Sequence, residues 1–373
     1  MINEGIDALA LGDVERPEAL LDENVNLTEW PIALAGTFPA KYLDLPEAVL
    51  TTSMAKHLRM FPVRGEDGKL TNRFVFIRNG GEDGTVRRGA EWVLNARLAD
   101  AQFFFDEDRA KSLEYFLEKT SGILFQRDLG TVRARADRLA ELAASVAEAF
   151  GHPEEAAIAA EAGRLAKADL ATGLVGEFAS LQGLVGSVYA EREGKPPAVV
   201  AALREQYQPP AGPYTKAENR VTAFLTVADA LDKLAGYLGL GLEPTGSSDP
   251  FALRRAATGL IEVALNWPTP LPSYDELLRI ALTIYRDAGK DLNIPGATKA
   301  LAELFENRYA TLLEGTRHDI LAAAILGDFP EAPTRPQGVW FRADLLTRLV
   351  KDPGFVQTAT RPMNIVAAAR RKG

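Results

Sequence analysis

Residues 161–190 read EAGRLAKADLATGLVGEFASLQGLVGSVYA, and the reading of this stretch decides the reading of the chain. Ala162, Leu165, Ala166, Asp169 and Leu170 recur at three- and four-residue spacing, which predicts one helix with an apolar stripe. Asp169 is the odd member of that stripe. A carboxylate on a core-facing stripe needs a cation or several donors, because burying a charge without a partner is costly. Lys167 falls off the stripe and is expected to face solvent or a ligand. Further on, Gly183 and Gly186 weaken any helix and permit close backbone approach.

The chain has 373 residues, 47% of them hydrophobic, enough to bury real cores and to form two or three domains. It contains no cysteine, which excludes disulfides, thiolate metal sites and a cysteine nucleophile. That composition fits a cytoplasmic protein. No apolar run reaches the length of a membrane span. A net charge of −9 argues against general affinity for nucleic acid, so any RNA binding must be local.

Charge is unevenly spread. Residues 1–30 carry eight acids against Arg16 alone, a net of −7, and read as a solvated helical surface. Between Lys56 and Arg97 nine basic residues face five acids, a net of +4. In the same region HLRMFPV and LTNRFVFIR flank a turn at Glu66, Asp67 and Gly68, a β-hairpin signal. Both faces of Phe74–Ile77 are apolar, so this strand is expected inside a sheet. From about residue 110 the pattern turns helical. Arg127, Arg133, Arg135 and Arg138 crowd the entry to this part.

In TGSSDPFALRRAATG, residues 245–259, Asp249 is typed as an N-cap and Pro250 as the first helical residue. Arg254 and Arg255 lie one turn in, where a helix N-terminus receives phosphate. WPTPLP, residues 267–272, reads as a proline-spaced linker. Helices are expected after it over 274–287, 298–313, 318–325 and 341–349. The end, RPMNIVAAARRKG, reads as an amphipathic helix with a basic tail. Arg317-His318-Asp319-Ile320 contains a literal His-Asp doublet. The chain has only three histidines, in separate regions, so a helix start with Asp319 in its first turn explains these residues better than a metal site.

LAKADL, EFASLQGLVGSVYA, VADALDKLAG and TGSSDPFALRRAATG together resemble the core of the beta subunit of bacterial glycyl-tRNA synthetase. The resemblance implies a mainly α protein with an α+β N-terminal part: a body segment over 1–110 and a degenerate HD-type helical domain over 111–266. A linker over 267–275 and an incomplete anticodon-binding-like helical bundle over 276–373 would follow. It also implies a middle piece of a longer subunit. Active HD-type members carry a histidine near the position of Arg135 and Ala136, and a His-Asp doublet where Ala168-Asp169 stands here. Their closing aspartate corresponds to Asp229. Two carboxylates without imidazoles make a poor divalent-metal site, so the resemblance implies a scaffold retained and a phosphohydrolase lost.

In this family the alpha subunit activates and transfers glycine, using ATP and magnesium, and the beta subunit holds tRNA(Gly) in an α2β2 assembly. The resemblance therefore implies no catalytic residue and no cofactor on this chain, and no membrane or DNA partner. Candidate tRNA contacts are Lys56, Arg59, Arg73, Arg87, Arg88 and Arg97, then Arg127, Arg135, Lys167, Arg254 and Arg255. Lys167 and Arg254 come first, because they lie within the motifs yet off the apolar stripes. Asp169 and Asp229 form the vestigial site, with Arg135 expected to neutralise them. A metal-dependent HD-type nucleotide phosphohydrolase is the rival reading, and a helical interaction scaffold without RNA affinity is a third.

Overall fold

The computed structural model describes residues 1–208, 212–246, 248–326 and 332–358. The expected C-terminal helix with its basic tail lies outside the described residues. The chain is mostly helical with two small antiparallel sheets, of four and two strands, and forms two compact units. Residues 1–119 and 168–193 make the first, and residues 120–167 and 194–373 the second. The boundaries expected at 110 and 266 do not coincide with this division.

The first unit is built on a four-stranded antiparallel sheet in the order Asp13–Val14, Phe61–Arg64, Leu70–Arg78, Ile32–Thr37. Leu70–Arg78 is interior, as its two apolar faces demand, and Phe74 and Val75 are wholly buried. The hairpin reverses where the glycine and aspartate predict. Gly68 takes φ +75°, and the Asp67 carboxylate accepts from the Lys69 amide at 3.1 Å. Ile2, Ile6, Leu20, Phe61, Val63 and Val75 form a core on one face of the sheet. The helix Asp83–Asp108 follows. Its first amides, Gly84 and Thr85, donate to the Glu82 carboxylate at 2.8 and 2.7 Å. Hydrogen bonding from Thr85 and Gly84 pulls the Glu82 pKa down to about 2.

The single helix expected through Leu170 does not form. Helix Ala156–Leu165 stops, and a 3₁₀ turn, Ala168–Ala171, carries Asp169 into the first unit while Lys167 stays in the second. The reason is local. The Asp169 carboxylate takes the amides of Gly183 and Gly186, at the start of helix Leu184–Arg192. Gly183 has φ +84°, and a Cβ on Gly186 would sit 3.2 Å from the Asp169 carboxylate. The glycines thus admit a helix there by letting the carboxylate approach. Asp108 does the same for the next-door turn. It accepts from Gly173 and Leu174 at 2.9 Å each, and from the Tyr189 hydroxyl at 3.2 Å.

In the second unit Ala217–Gly239 is the central helix, buried along nearly all its length from Val221. Val132–Ala149, Pro197–Glu205, Leu253–Asn266, Tyr274–Asp287 and Ile294–Leu312 pack on it. WPTPLP is not a free spacer. Trp267 is buried against Phe150 at 4.8 Å, Tyr214 at 5.5 Å and Phe224 at 5.7 Å. The Gln337 side chain donates to the carbonyls of Trp267 and Thr269 and accepts from Leu271. Trp267 is simply too large an apolar surface to leave in water.

Tyr274–Asp287 has the expected limits and opens with a Ser273–Glu276 capping box. Ile294–Leu312, His318–Leu326 and Pro336–Leu349 extend the other three expected helices, two of them at the N-terminal side. Helix Leu253–Asn266 begins three residues later than expected, after Ala252 at φ +54°. Asp249 still caps it, because its carboxylate reaches forward to the amides of Leu253 and Arg254 at 2.8 and 2.9 Å.

Helices Val132–Ala149 and Ala156–Leu165 meet at Gly163, where an added Cβ would lie 2.4 Å from the Leu139 carbonyl oxygen. That atom is backbone and cannot rotate away. Gly163→Ala should therefore cost about 1–3 kcal/mol or more by forcing the helices apart, read as a lower urea midpoint.

Candidate nucleic-acid interface

The basic region of the first unit is less free than its composition suggests. Arg59 pairs with Glu23 at 2.7 Å, Arg64 pairs with Glu15 and Glu47, and Arg16 holds Asp7. The acidic N-terminal segment is thus folded onto part of this basic region and cancels it. It is not a detached solvated surface. Arg97 pairs with Glu177 at 3.4 Å and lies over the Phe178 ring, on which His57 stacks at 5.5 Å. Burial lowers the His57 pKa, and the charges of Arg97 and Lys56 lower it further.

Lys56, Arg73, Arg87 and Arg88 remain exposed. Arg88 bonds only the Thr85 hydroxyl, at 3.0 Å, and the side chains of the other three engage no partner among the described residues. The sheet and the long helix place Arg73 and Arg87 on adjoining elements. Arg73 stands opposite Thr37 in the register, and the Thr37 amide donates to Glu91, one helical turn beyond Arg87. Such cations can receive phosphates without breaking an existing pair.

In the second unit the expected residues divide sharply. Arg127 and Arg255 are exposed and unbonded among the described residues. Arg254 is part-buried and turns back on its own loop, donating to the carbonyls of Gly246 and Ser248. Arg135 and Lys167 are buried, 8% and 3% exposed. The expectation that Lys167 faces solvent or ligand is overturned. With the helix ended at Leu165, its side chain turns inward to Asp229 at 3.0 Å, Gln206 at 2.8 Å and the Tyr207 hydroxyl at 3.2 Å.

These residues belong to one buried ion network. Arg135 donates to Asp229 at 3.1 Å and to Asp232 at 2.9 Å. Arg138 donates to Asp232 at 2.7 Å and to the Tyr285 hydroxyl at 3.0 Å. Arg135 also lies over the Phe125 ring at 4.2 Å, and Arg138 over Tyr285 at 4.1 Å. Burial alone would raise the Asp229 pKa, yet Arg135 and Lys167 hold it well below the carboxylate range. The pairing of Arg135 with Asp229 is as expected, but its second carboxylate is Asp232, not Asp169. Sequence reasoning missed Asp232 and Arg138. The signal was present: Asp229/Asp232 and Arg135/Arg138 share the three-residue spacing that lets two helices exchange two pairs.

Where a divalent ion would need open ligand atoms, the Oδ1 of Asp229 is already claimed by a guanidinium and an ammonium. The donor set does not fit a metal. His152, Glu154 and Glu155 bring ligand atoms within 4.8 Å of one another, but Glu155 is held on both oxygens by Arg220. His318 is exposed at the start of its helix, with Asp319 in the first turn as expected and paired with Arg317 at 2.7 Å.

Arg135→Ala would leave two carboxylates short of a partner in the core, with a cost of about 3–5 kcal/mol in urea unfolding. The network also sets an acid limit. Asp229 has a depressed folded pKa, so its contribution is full above the unfolded value of about 4 and lost as pH falls below it. Wild-type protein should lose stability over that acid range more steeply than Asp229→Asn, measured by urea midpoints from pH 7 to pH 3.

The sequence profile described as "Glycyl-tRNA synthetase beta subunit" matches residues 1–326. The chain is 40% identical over 365 residues to a protein of Phenylobacterium zucineum (strain HLK1) named glycine--tRNA ligase beta subunit. That alignment covers 95% of this chain and 51% of the relative. A protein of Listeria welshimeri with the same name is 36% identical over 368 residues, 96% of this chain and 53% of the relative. For one from Leuconostoc mesenteroides the figures are 38% over 319 residues, 84% and 46%. The chain spans about half the length of these relatives. On the extent of the match, the chain belongs to the glycyl-tRNA synthetase beta subunit family.

Proposed function

We propose that this chain is a tRNA-holding part of a glycyl-tRNA synthetase, positioning tRNA(Gly) while a partner alpha subunit, with ATP and magnesium, makes the glycyl ester. The observation that carries this is the set of exposed cations left without partners in an acidic chain: Lys56, Arg73 and Arg87 in one unit, Arg127 and Arg255 in the other. A chain of net −9 repels RNA overall, and these side chains supply the local exception. Their role is to seat phosphates, with few base-edge contacts. Arg135 and Lys167 support the reading only indirectly, by holding the helical unit together. The second unit is proposed as an HD-type scaffold whose metal chemistry has been replaced by ion pairs. The phosphohydrolase reading gains nothing from Asp229, whose Oδ1 serves both Arg135 and Lys167.

Replacing Arg87 and Arg88 together by alanine should weaken binding of all tRNAs alike. It should also reduce the slope of log K against log salt by about one to two, as expected for lost phosphate contacts. Filter binding or fluorescence anisotropy across 50–300 mM salt, on the order used for such slopes, reads both quantities. A double variant with unchanged affinity and slope would show that this surface does not meet RNA.

A further inference from the structure

The charges around Asp229 do not balance. Two carboxylates, Asp229 and Asp232, are bonded by three cations, Arg135, Arg138 and Lys167. Lys233 stands one helical turn beyond Asp229 on the same face of Ala217–Gly239, and among the described residues its ammonium makes no hydrogen bond or ion pair. Arg255 is exposed on helix Leu253–Asn266, which packs against Ala217–Gly239. Burial lowers the Lys233 pKa. Asp229 pulls it up, and Arg135, Lys167 and Arg255 push it down.

Gathering more cations than carboxylates in and around a core is unfavourable, and a mobile anion relieves it. The place is open to one. The Asp229 side chain is 19% exposed, Lys233 is part-exposed, Arg255 is exposed, and Tyr207 at 44% stands over Lys167. A phosphate group suits this excess of positive charge better than a carboxylate. It carries up to two charges, and its oxygens accept from a lysine and the fork of an arginine together.

We infer that Lys233 and Arg255, backed by Lys167 and Arg135, form a binding site for a phosphate group. The group belongs to RNA or to a free phosphate compound; the first source rests on the function proposed above, the second does not.

The test uses the whole chain and pyrophosphate, with chloride holding ionic strength constant. Pyrophosphate should raise the melting temperature saturably, as a ligand of the folded state does. Lys233→Gln or Arg255→Gln should weaken the apparent affinity by about tenfold, the loss of one charge-assisted hydrogen bond. Lys299→Gln, an exposed lysine paired with Glu303 elsewhere in the unit, should leave it unchanged. Without pyrophosphate, Lys233→Gln should melt no lower than wild type, because the burial and repulsion of this charge outweigh its attraction to Asp229; this separates loss of the site from misfolding. No saturable shift, or an equal shift in wild type and both variants, would overturn the site.

Transfer RNA tells the sources apart. If the group belongs to RNA, tRNA competes with pyrophosphate, and Lys233→Gln lowers the salt slope of tRNA binding by about one. If tRNA binds wild type and Lys233→Gln equally while pyrophosphate stays bound, the site takes a free phosphate compound. A chain that binds pyrophosphate through Lys233 but binds no tRNA would sink the proposed function and leave this site standing.

Discussion

The interaction on which the second unit depends is the exchange of Arg135 and Arg138 with Asp229 and Asp232. Four charges taken out of water are costly, and they survive because the geometry lets each carboxylate meet more than one donor. The central helix Ala217–Gly239 carries both aspartates, and Val132–Ala149 carries both arginines. Their mutual register is therefore set by ion pairs, with Gly163 allowing the third helix to close in. Lys167 completes the set, and through it the end of helix Ala156–Leu165 is tied to the central helix.

The first unit solves a similar problem with amides in place of cations. Asp108 and Asp169 are both buried, and both receive backbone N–H groups at the start of a short helix. A helix N-terminus offers partial positive charge without the desolvation cost of a second ion. This arrangement also explains why the segment from Ala168 to Glu193 belongs with the first unit, although the sequence before it belongs with the second. Glycine at 183 and 186 is the enabling feature, since any side chain at 186 would press on the carboxylate.

Surface charge follows a different logic. The acidic beginning of the chain and the basic region after it are not two independent features. Glu15 and Glu23 are spent on Arg64 and Arg59, so the net charges of the two segments overstate both. What remains available for phosphate is the subset that folding leaves without a carboxylate. Exposed pairs of this kind add little stability, and their main effect is to decide which cations are free.

Local signals determined much of this protein. The interior strand at Phe74–Val75, the turn at Gly68 and the helix at Tyr274–Asp287 with its Ser273 cap are short-range consequences of residue type and spacing. The family could be read from motif order for the same reason, since long runs of residues carry it. Tertiary structure alone decided where charges end. Periodicity placed Lys167 off an apolar stripe but assumed the helix continued, and Asp229, distant in sequence, decided that the ammonium turns inward. It likewise put Asp169 against backbone amides and not against Arg135. It also made WPTPLP a packed segment, because Phe150, Tyr214 and Phe224 converge on Trp267. A side chain's partner is chosen by energy summed over neighbours from the whole fold, and spacing along one segment contains only its own part of that sum.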